Sequence, residues 1–423
     1  MISEIEKFVH ENEDAIFADI ARLVAVPSVG NGKEALAEAL KIAEEMGLET
    51  HNCEDIIGYA CVGGNGDDYF ATITHVDVVD VGDGWNSDPW MMTERDGYII
   101  GRGVMDDKGP TILCLYALKY LQEKGIALKA PVRALIGTDE EVGMSDVEYF
   151  LANYPQPRFC FSPDADFPLI NGEKGIYHAK IVALKKADKV ESISGGFAAN
   201  AIPSYAEACV SGKKLSTEGV QGHASLPQGT KNAIGELLRA ILGERLVSGE
   251  EAVLLEKFLA IDTAWDGSDL GISARNDRFG PLTCAGGIIS MEDGRIFRTI
   301  DCRYPDCTSG PEITAKLREF YSGVAEVVEM GDSVPFYMEA DAPEIKACLD
   351  AYNEVTGENA HPFVIGGGTY SRHMANAVAF GPERDRVRPD FAGPIHGTNE
   401  SACKQELLEA LQIYILTLLN LEK

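Results

Sequence analysis

Apolar positions recur along the first part of the chain at two different spacings. Residues 2 to 23 place Ile5, Phe8, Val9, Ile16, Ile20 and Leu23 on one helical face, and Pro27 follows. Residues 33 to 46, KEALAEALKIAEEM, predict a second helix ending near Gly47. Three strand-like stretches come next: 69–79 (YFATITHVDVV), 131–137 and 158–162. Between the first two lies PTILCLYALKYLQEKG, a predicted helix with Pro110 at its start and Gly125 just past its end. Strands alternating with helices imply a largely parallel sheet covered by helices.

The pattern changes after Gly172. Strands with polar alternation dominate to about residue 332, with helices expected near 231–242, 251–260 and 311–328. The segments SVPFYMEA, PEIKACLDAYNEVTG and IGGG then resume the earlier character, and a helix from Glu400 to Leu419 closes the chain. The expected fold is α/β. A mixed, largely parallel sheet with helices on both faces is built from residues 1–176 and 333–423, and an α+β domain is inserted at 177–332. No short-period repeat or low-complexity tract is found.

Composition narrows the function classes. The 423 residues carry 67 acidic and 37 basic side chains, a formal net charge of -30. So negative a surface repels nucleic-acid phosphates and anionic lipid headgroups, so neither nucleic acid nor a membrane is expected as a partner. It suits a site that gathers carboxylates around cations. Ten cysteines form no CxxC pair, and most lie in apolar runs, as free thiols do in a reducing compartment. The acidic, amphipathic N-terminus lacks the basic start and apolar block of a signal peptide, and no run reaches membrane-span length. A cytoplasmic protein is expected.

Five short motifs carry candidate chemistry. His75-Val76-Asp77 ends a predicted strand, where residues two apart face the same way. A ligating histidine commonly passes its second ring proton to a carboxylate, a need that Asp77 fits. GRGVMDDKGP (101–110) sets Asp106 and Asp107 in a glycine-rich loop before a helix, where a helix cap is an equal reading. Thr138-Asp139-Glu140-Glu141 follows an apolar strand. It reads either as a solvated loop or as two glutamates divided between binding a metal and moving a proton. SPDAD (162–166) follows another strand, and HGTNE (396–400) precedes the last helix. Taken singly, either of these fits an ordinary polar loop or cap. Together, three clusters follow three strands of one domain and a fourth lies in a loop between two of them. Ligands gather at the carboxyl ends of parallel strands. Two histidines with carboxylates and no nearby cysteine suit zinc, cobalt or manganese.

In this order, HVD, GRGVMDDKGP, TDEE, SPDADFP and HGTNE resemble the co-catalytic zinc exopeptidases that include carboxypeptidase G, aminoacylase and the carnosinase-like dipeptidases, most closely the dipeptidase V type. The resemblance spans nearly the whole chain. It implies two divalent cations, zinc first, with manganese or cobalt as alternatives. His75 and Asp164 would hold one and Glu141 and His396 the other. Asp106 would bridge both and be followed by a cis peptide. Asp77 would orient His75, and Glu140 would be the general base on a water bridging the metals. In the insertion, which corresponds to the family's lid, His223 (GVQGHASLP) would stabilise the tetrahedral oxyanion together with Asn200 (GGFAANAIP). Arg303 (DCRYP) would hold the substrate carboxylate, and Gly367 and Gly368 of IGGG would complete its pocket. The implied activity is hydrolysis of small unblocked dipeptides. An N-acyl-amino-acid deacylase is the nearest alternative, and a non-catalytic metal or peptide binder a remoter one. A monomer is expected over a homodimer. The chain is short for the dipeptidase V type, and Met105 and the stretch ERDRVRPDFAGPIHG have no close counterpart.

Overall fold

The computed structural model describes residues 2–422, which divide into two compact units. The first comprises residues up to 171, 338–363 and 369 onward; the second comprises 172–337 and 364–368. The short return 364–368 contains the glycine run, so these glycines belong with the inserted segment.

The first unit is built on strands β1 (Glu49–Cys53), β2 (Ile57–Val62), β3 (Phe70–His75), β4 (Val132–Gly137) and β5 (Phe159–Ser162). They lie in the order β1-β2-β4-β3-β5, followed by the strand Ala377–Ala379. β3 runs parallel to both β4 and β5, and β5 parallel to 377–379, whereas β1 and β2 form an antiparallel margin. All six residues of β3 and of β4 are buried, as expected of parallel strands covered on both faces. One face is packed by α1 (Ile2–Val24), α2 (Lys33–Glu45), α3 (Lys108–Glu123) and the helices Pro343–Thr356 and Lys404–Leu421. The other is packed by α4 (Ser145–Asn153) and the short turn Tyr370–His373, through Val147, Phe150, Tyr370 and Met374. The α/β layering with helices on both faces is as the sequence predicts.

The second unit is an antiparallel sheet with helices on one face. Its strands are β6 (Gly175–Ala183), β7 (Val190–Gly195), β8 (Tyr205–Val210), β9 (Lys213–Glu218), β10 (Thr283–Ala285), β11 (Ile289–Glu292), β12 (Arg295–Tyr304) and β13 (Ala325–Ser333). The order is β9-β8-β7-β11-β12-β6-β13, with β10 pairing β12. Tyr177, Ala179 and Ile181 on β6 alternate inward toward a core shared with α5 (Ala233–Gly243), α6 (Gly249–Leu259) and α7 (Gly310–Phe320). The side chain of Asn232 caps α5 by accepting from the Ile234 N–H at 3.0 Å. The helix expected over 311–328 stops at Phe320. Gly323 at φ 80° turns the chain, and β13 begins at Ala325. The final helix likewise starts at Lys404 rather than at residue 400, because Ser401–Cys403 pairs as a strand with Tyr98–Ile100.

Candidate metal centre

Parallel pairing aligns the carboxyl ends of β3, β4 and β5, and the polar motifs leave the sheet there. His75 is the last residue of β3 and sits beside Gly137, the last of β4. A side chain at Gly137 would collide with Tyr370 and Asp146, so only glycine lets the following turn approach so closely. The turn then carries Glu140 and Glu141, and Asp164 follows β5 by two residues.

Five of the predicted residues converge in the first unit. The Asp106 carboxylate lies between two imidazoles: Oδ1 is 3.0 Å from His75 Nε2, and Oδ2 is 2.7 Å from His396 Nε2. His75 Nε2 is also 3.7 Å from Asp164 Oδ2, and His396 Nε2 is 3.1 Å from Glu141 Oε1. The donor atoms sort into two compact groups that could each hold an ion: His75, Glu140 and Asp164, and Asp106, Glu141 and His396. His396 adopts φ 59°, a left-handed conformation that costs a non-glycine residue energy and that clusters at functional sites. The Asp106–Asp107 peptide is cis.

Neighbouring backbone and side chains hold these groups in place. Asp77, fully buried, accepts the Glu140 N–H at Oδ1 and the Glu141 N–H at Oδ2, each at 3.1 Å. Its role is therefore broader than the sequence suggests. The nearer partner of His75 Nδ1 is the Asp77 carbonyl at 3.0 Å, with the carboxylate oxygen at 3.4 Å. Asp107 occupies the N-cap position of α3 but makes no capping bond; it accepts the His75 N–H at 3.2 Å. The helix-cap reading of that loop therefore fails for Asp107.

Two anchors were not singled out from sequence. Glu400 accepts from the N–H groups of Gly103, Met105 and Asp106 at 3.0–3.2 Å and from Arg102 Nη1 at 2.8 Å, fixing the loop that carries Asp106. Its place in HGTNE was visible, but nothing in the pattern tied it to a loop some 300 residues away. Asp146 accepts from the Thr138 N–H and the Tyr370 hydroxyl, both at 2.5 Å, and anchors the start of the Glu140 turn. Following TDEE and a serine, it reads in sequence as an ordinary helix-start residue.

The electrostatics are those of a cage short of positive charge. Burial and the neighbouring Asp164 push Glu140 well above the usual carboxylate range. Burial and Asp106 raise Asp164 to about 6. Burial would raise Asp106 too, but hydrogen bonds from His396 and His75 hold it well below its ordinary value. Hydrogen bonds to Asp106 and Glu141 lift His396 to about 11, against the opposing effect of burial. His75 Nε2, Asp106 Oδ1 and Glu141 Oε1 are buried, and their 3.0–3.1 Å contacts within the cluster are not aligned as good hydrogen bonds. Orphaned nitrogen and carboxylate donors converging in this way fit divalent cations of the zinc or manganese type.

In the second unit, Ala201 pairs with His223 across a short antiparallel ladder, and the Asn200 carbonyl accepts the Ala224 N–H at 2.8 Å. Asn200 and His223 are thus neighbours, and both are exposed. Arg303 is buried on β12, two residues from Asp301 and on the same face. Asp301 takes Arg303 Nε at 2.7 Å and Nη2 at 2.9 Å, and His178, its partner on β6, at 2.7 Å. Arg303 Nη1 donates to the Gly366 carbonyl at 2.7 Å. The glycine run therefore meets the arginine through a C=O, and Gly367 and Gly368 follow directly.

Comparison with known proteins accords with this geometry. A Lactobacillus delbrueckii subsp. lactis protein named β-Ala-Xaa dipeptidase is 30% identical, with 97% of each chain covered. Human carnosine dipeptidase 1 shares the fold, with a TM-score of 0.63 at 14% identity over 100% of this chain and 98% of that one. Aminoacylhistidine dipeptidase from Vibrio alginolyticus gives a TM-score of 0.64 at 14% identity, covering 95% and 96%. The model of peptidase family M20/M25/M40 matches residues 71–420, which hold every motif described above. The chain therefore belongs to peptidase family M20/M25/M40, and it is a peptide-bond hydrolase of that family.

Proposed function

We propose that the protein is a dipeptidase that works with two divalent cations and cleaves small unblocked dipeptides. The observation that carries this reading is Asp106, whose two carboxylate oxygens each face a different histidine. A single cation needs no such symmetric bridge. His75 and Asp164 would hold one ion, Glu141 and His396 the other, and Asp106 both. Bound there, the ions would polarise the scissile carbonyl and make a water acidic enough to attack at neutral pH.

The chain's own residues supply the rest. Asp77 holds the backbone of Glu140 and Glu141, so the proposed base and a proposed ligand keep a fixed relation to His75. Glu140 stands beside the proposed ligand Glu141 and lies against the His75 and Asp164 donors, where a base on the attacking water is needed. It takes the proton from the attacking water and returns it to the departing amine. Arg303, squared up by Asp301, has a planar fork suited to a substrate carboxylate, and His223 with Asn200 is assigned to the oxyanion on the family's pattern. The names of the relatives favour dipeptides over acylated amino acids. The ten cysteines are all free, which favours a reducing compartment, and no described helix is long and apolar enough to cross a membrane. We propose a monomer, which light scattering can check.

The test is Glu140→Gln in the metal-loaded protein. Turnover of an unblocked dipeptide panel should fall by about 10²–10⁴-fold while cation content is retained. Loss of the cations would make Glu140 a ligand. Hydrolysis of N-acetyl amino acids but not of dipeptides by the wild-type protein would replace the dipeptidase reading with a deacylase.

A further inference from the structure

A second group of potential ligands lies on the same sheet, away from the centre described above. Glu49 and His51 alternate on β1, the edge strand, and so share a face. Cys61 on β2 is the direct partner of Glu49, and Tyr59 that of His51. One carboxylate oxygen, one imidazole nitrogen and one sulfur therefore come together, all within 4.8 Å of one another. In register, Cys61 aligns with Arg133 and Ala71, whereas the catalytic end aligns Ile57, Gly137 and His75. Four residues of strand separate the two levels, about 13 Å at the usual rise.

The His51 ring is approached from two sides. The Asn65 Oδ1 atom accepts from the Tyr59 hydroxyl at 3.0 Å and from Arg133 Nη2 at 2.6 Å, so its amide nitrogen is the atom that faces His51 Nε2, at 3.3 Å. Glu49 Oε1 lies closer to the same nitrogen, at 3.0 Å. A carboxylate, an imidazole and a buried thiol with no hydrogen-bond partner of its own among the described residues thus converge. The ring of His51 is held in this orientation by stacking on Tyr59 at 4.6 Å and 23°.

We propose that Glu49, His51 and Cys61 form a third cation site, which takes one zinc-class divalent ion with water completing the coordination. Cys61 gives up its thiol proton to solvent as the sulfur–metal bond forms. Because the thiol must lose its proton to bind, occupancy strengthens as pH rises. A thiolate ligand selects zinc, cobalt or cadmium over magnesium, calcium or manganese. Bound there, the ion pins the edge strand to its neighbour. The chain's strong negative charge favours cation capture.

Sulfur distinguishes this site from the catalytic one, whose donors are only nitrogen and oxygen. The full-length protein, stripped with chelator, is titrated with Co²⁺ and followed in the near ultraviolet, where a thiolate–cobalt charge-transfer band appears. The wild-type protein should develop the band to one sulfur-bound cobalt per chain, and Zn²⁺ should bleach it. The Cys61→Ser variant should lose it, while His51→Ala and Glu49→Gln, both on accessible side chains, should weaken cobalt binding at this site by at least tenfold. Asp106→Asn and Cys307→Ser should retain it. Absence of the band at saturating cobalt, its persistence in Cys61→Ser, or unweakened cobalt binding in His51→Ala overturns the proposal. Should Cys61→Ser fail to fold, His51→Ala decides alone.

Discussion

In the second unit the buried carboxylates of Asp301 and Asp262 each sit against a cation. Asp301 lies 2.7 Å from both Arg303 and His178, and Asp262 lies 2.6 Å from Arg298. In the first unit, Asp106, Asp107, Glu140, Glu141 and Asp164 surround two histidines, and burial with the neighbouring carboxylates raises Asp107, Glu140 and Asp164 above their ordinary values. The same unit can also neutralise a buried acid completely, as Arg102 does for Glu400 at 2.8 Å. The imbalance is therefore local to the ends of β3, β4 and β5. Uncompensated buried charge is costly, so a fold that keeps it there keeps it for ions from outside.

The largest test of this contrast is Asp106→Asn, which removes the group shared by both histidines. Turnover should fall by more than about 10⁴-fold, because both the electrostatic and the proton-transfer contributions depend on it. Cation content, read by elemental analysis, should fall with it. The counterpart in the second unit is Asp301→Asn, which strands Arg303 and His178. Removing one member of a buried pair should cost about 3–5 kcal/mol in a denaturant melt, with cation content unchanged. An equal loss of cations in Asp301→Asn would erase the distinction between the regions.

The next effect is pH dependence. His396 is raised from 6.5 to about 11 by its hydrogen bonds to Asp106 and Glu141, so the cation-free protein keeps its proton at neutral pH. That proton must leave before the nitrogen can bind a metal. Cation affinity should therefore rise about tenfold per pH unit between pH 6 and 8, measured by calorimetry. The linkage to folding runs the other way. A raised histidine stabilises the cation-free fold fully below pH 6.5, and that contribution is lost as pH climbs toward 11. An affinity independent of pH would contradict the proton-for-metal exchange. The smallest effect is at Asn232, the α5 cap. Asn232→Ala should lower stability by about 1 kcal/mol and leave cations and turnover untouched.

Much of this site was legible because sheet topology turns sequence order into proximity. A polar residue just after an apolar strand lands at the same sheet edge as its counterparts, which is how the sequence alone groups His75, Glu141 and Asp164. What stayed hidden was the support behind them. Asp77 binds the backbone of the Glu140 turn, and Glu400 binds the backbone of the Asp106 loop, and neither bond has a side-chain pattern to announce it. The edge-strand cluster was invisible for a related reason. Glu49 and Cys61 are partners only through antiparallel register, and register depends on the hairpin between them. The overlong helix at 311–328 arose from apolar residues that continue past Tyr321 but belong to β13, where Ala325 and Val327 alternate into the core.

Anomalous diffraction from crystals grown with excess Zn²⁺ or Mn²⁺ addresses the central claim most directly. Two peaks about 3.5–4 Å apart, with Asp106 between them, His75 and Asp164 on one and Glu141 and His396 on the other, are the expected result. A single peak, or ions bound with Asp106 turned away from both, would contradict it.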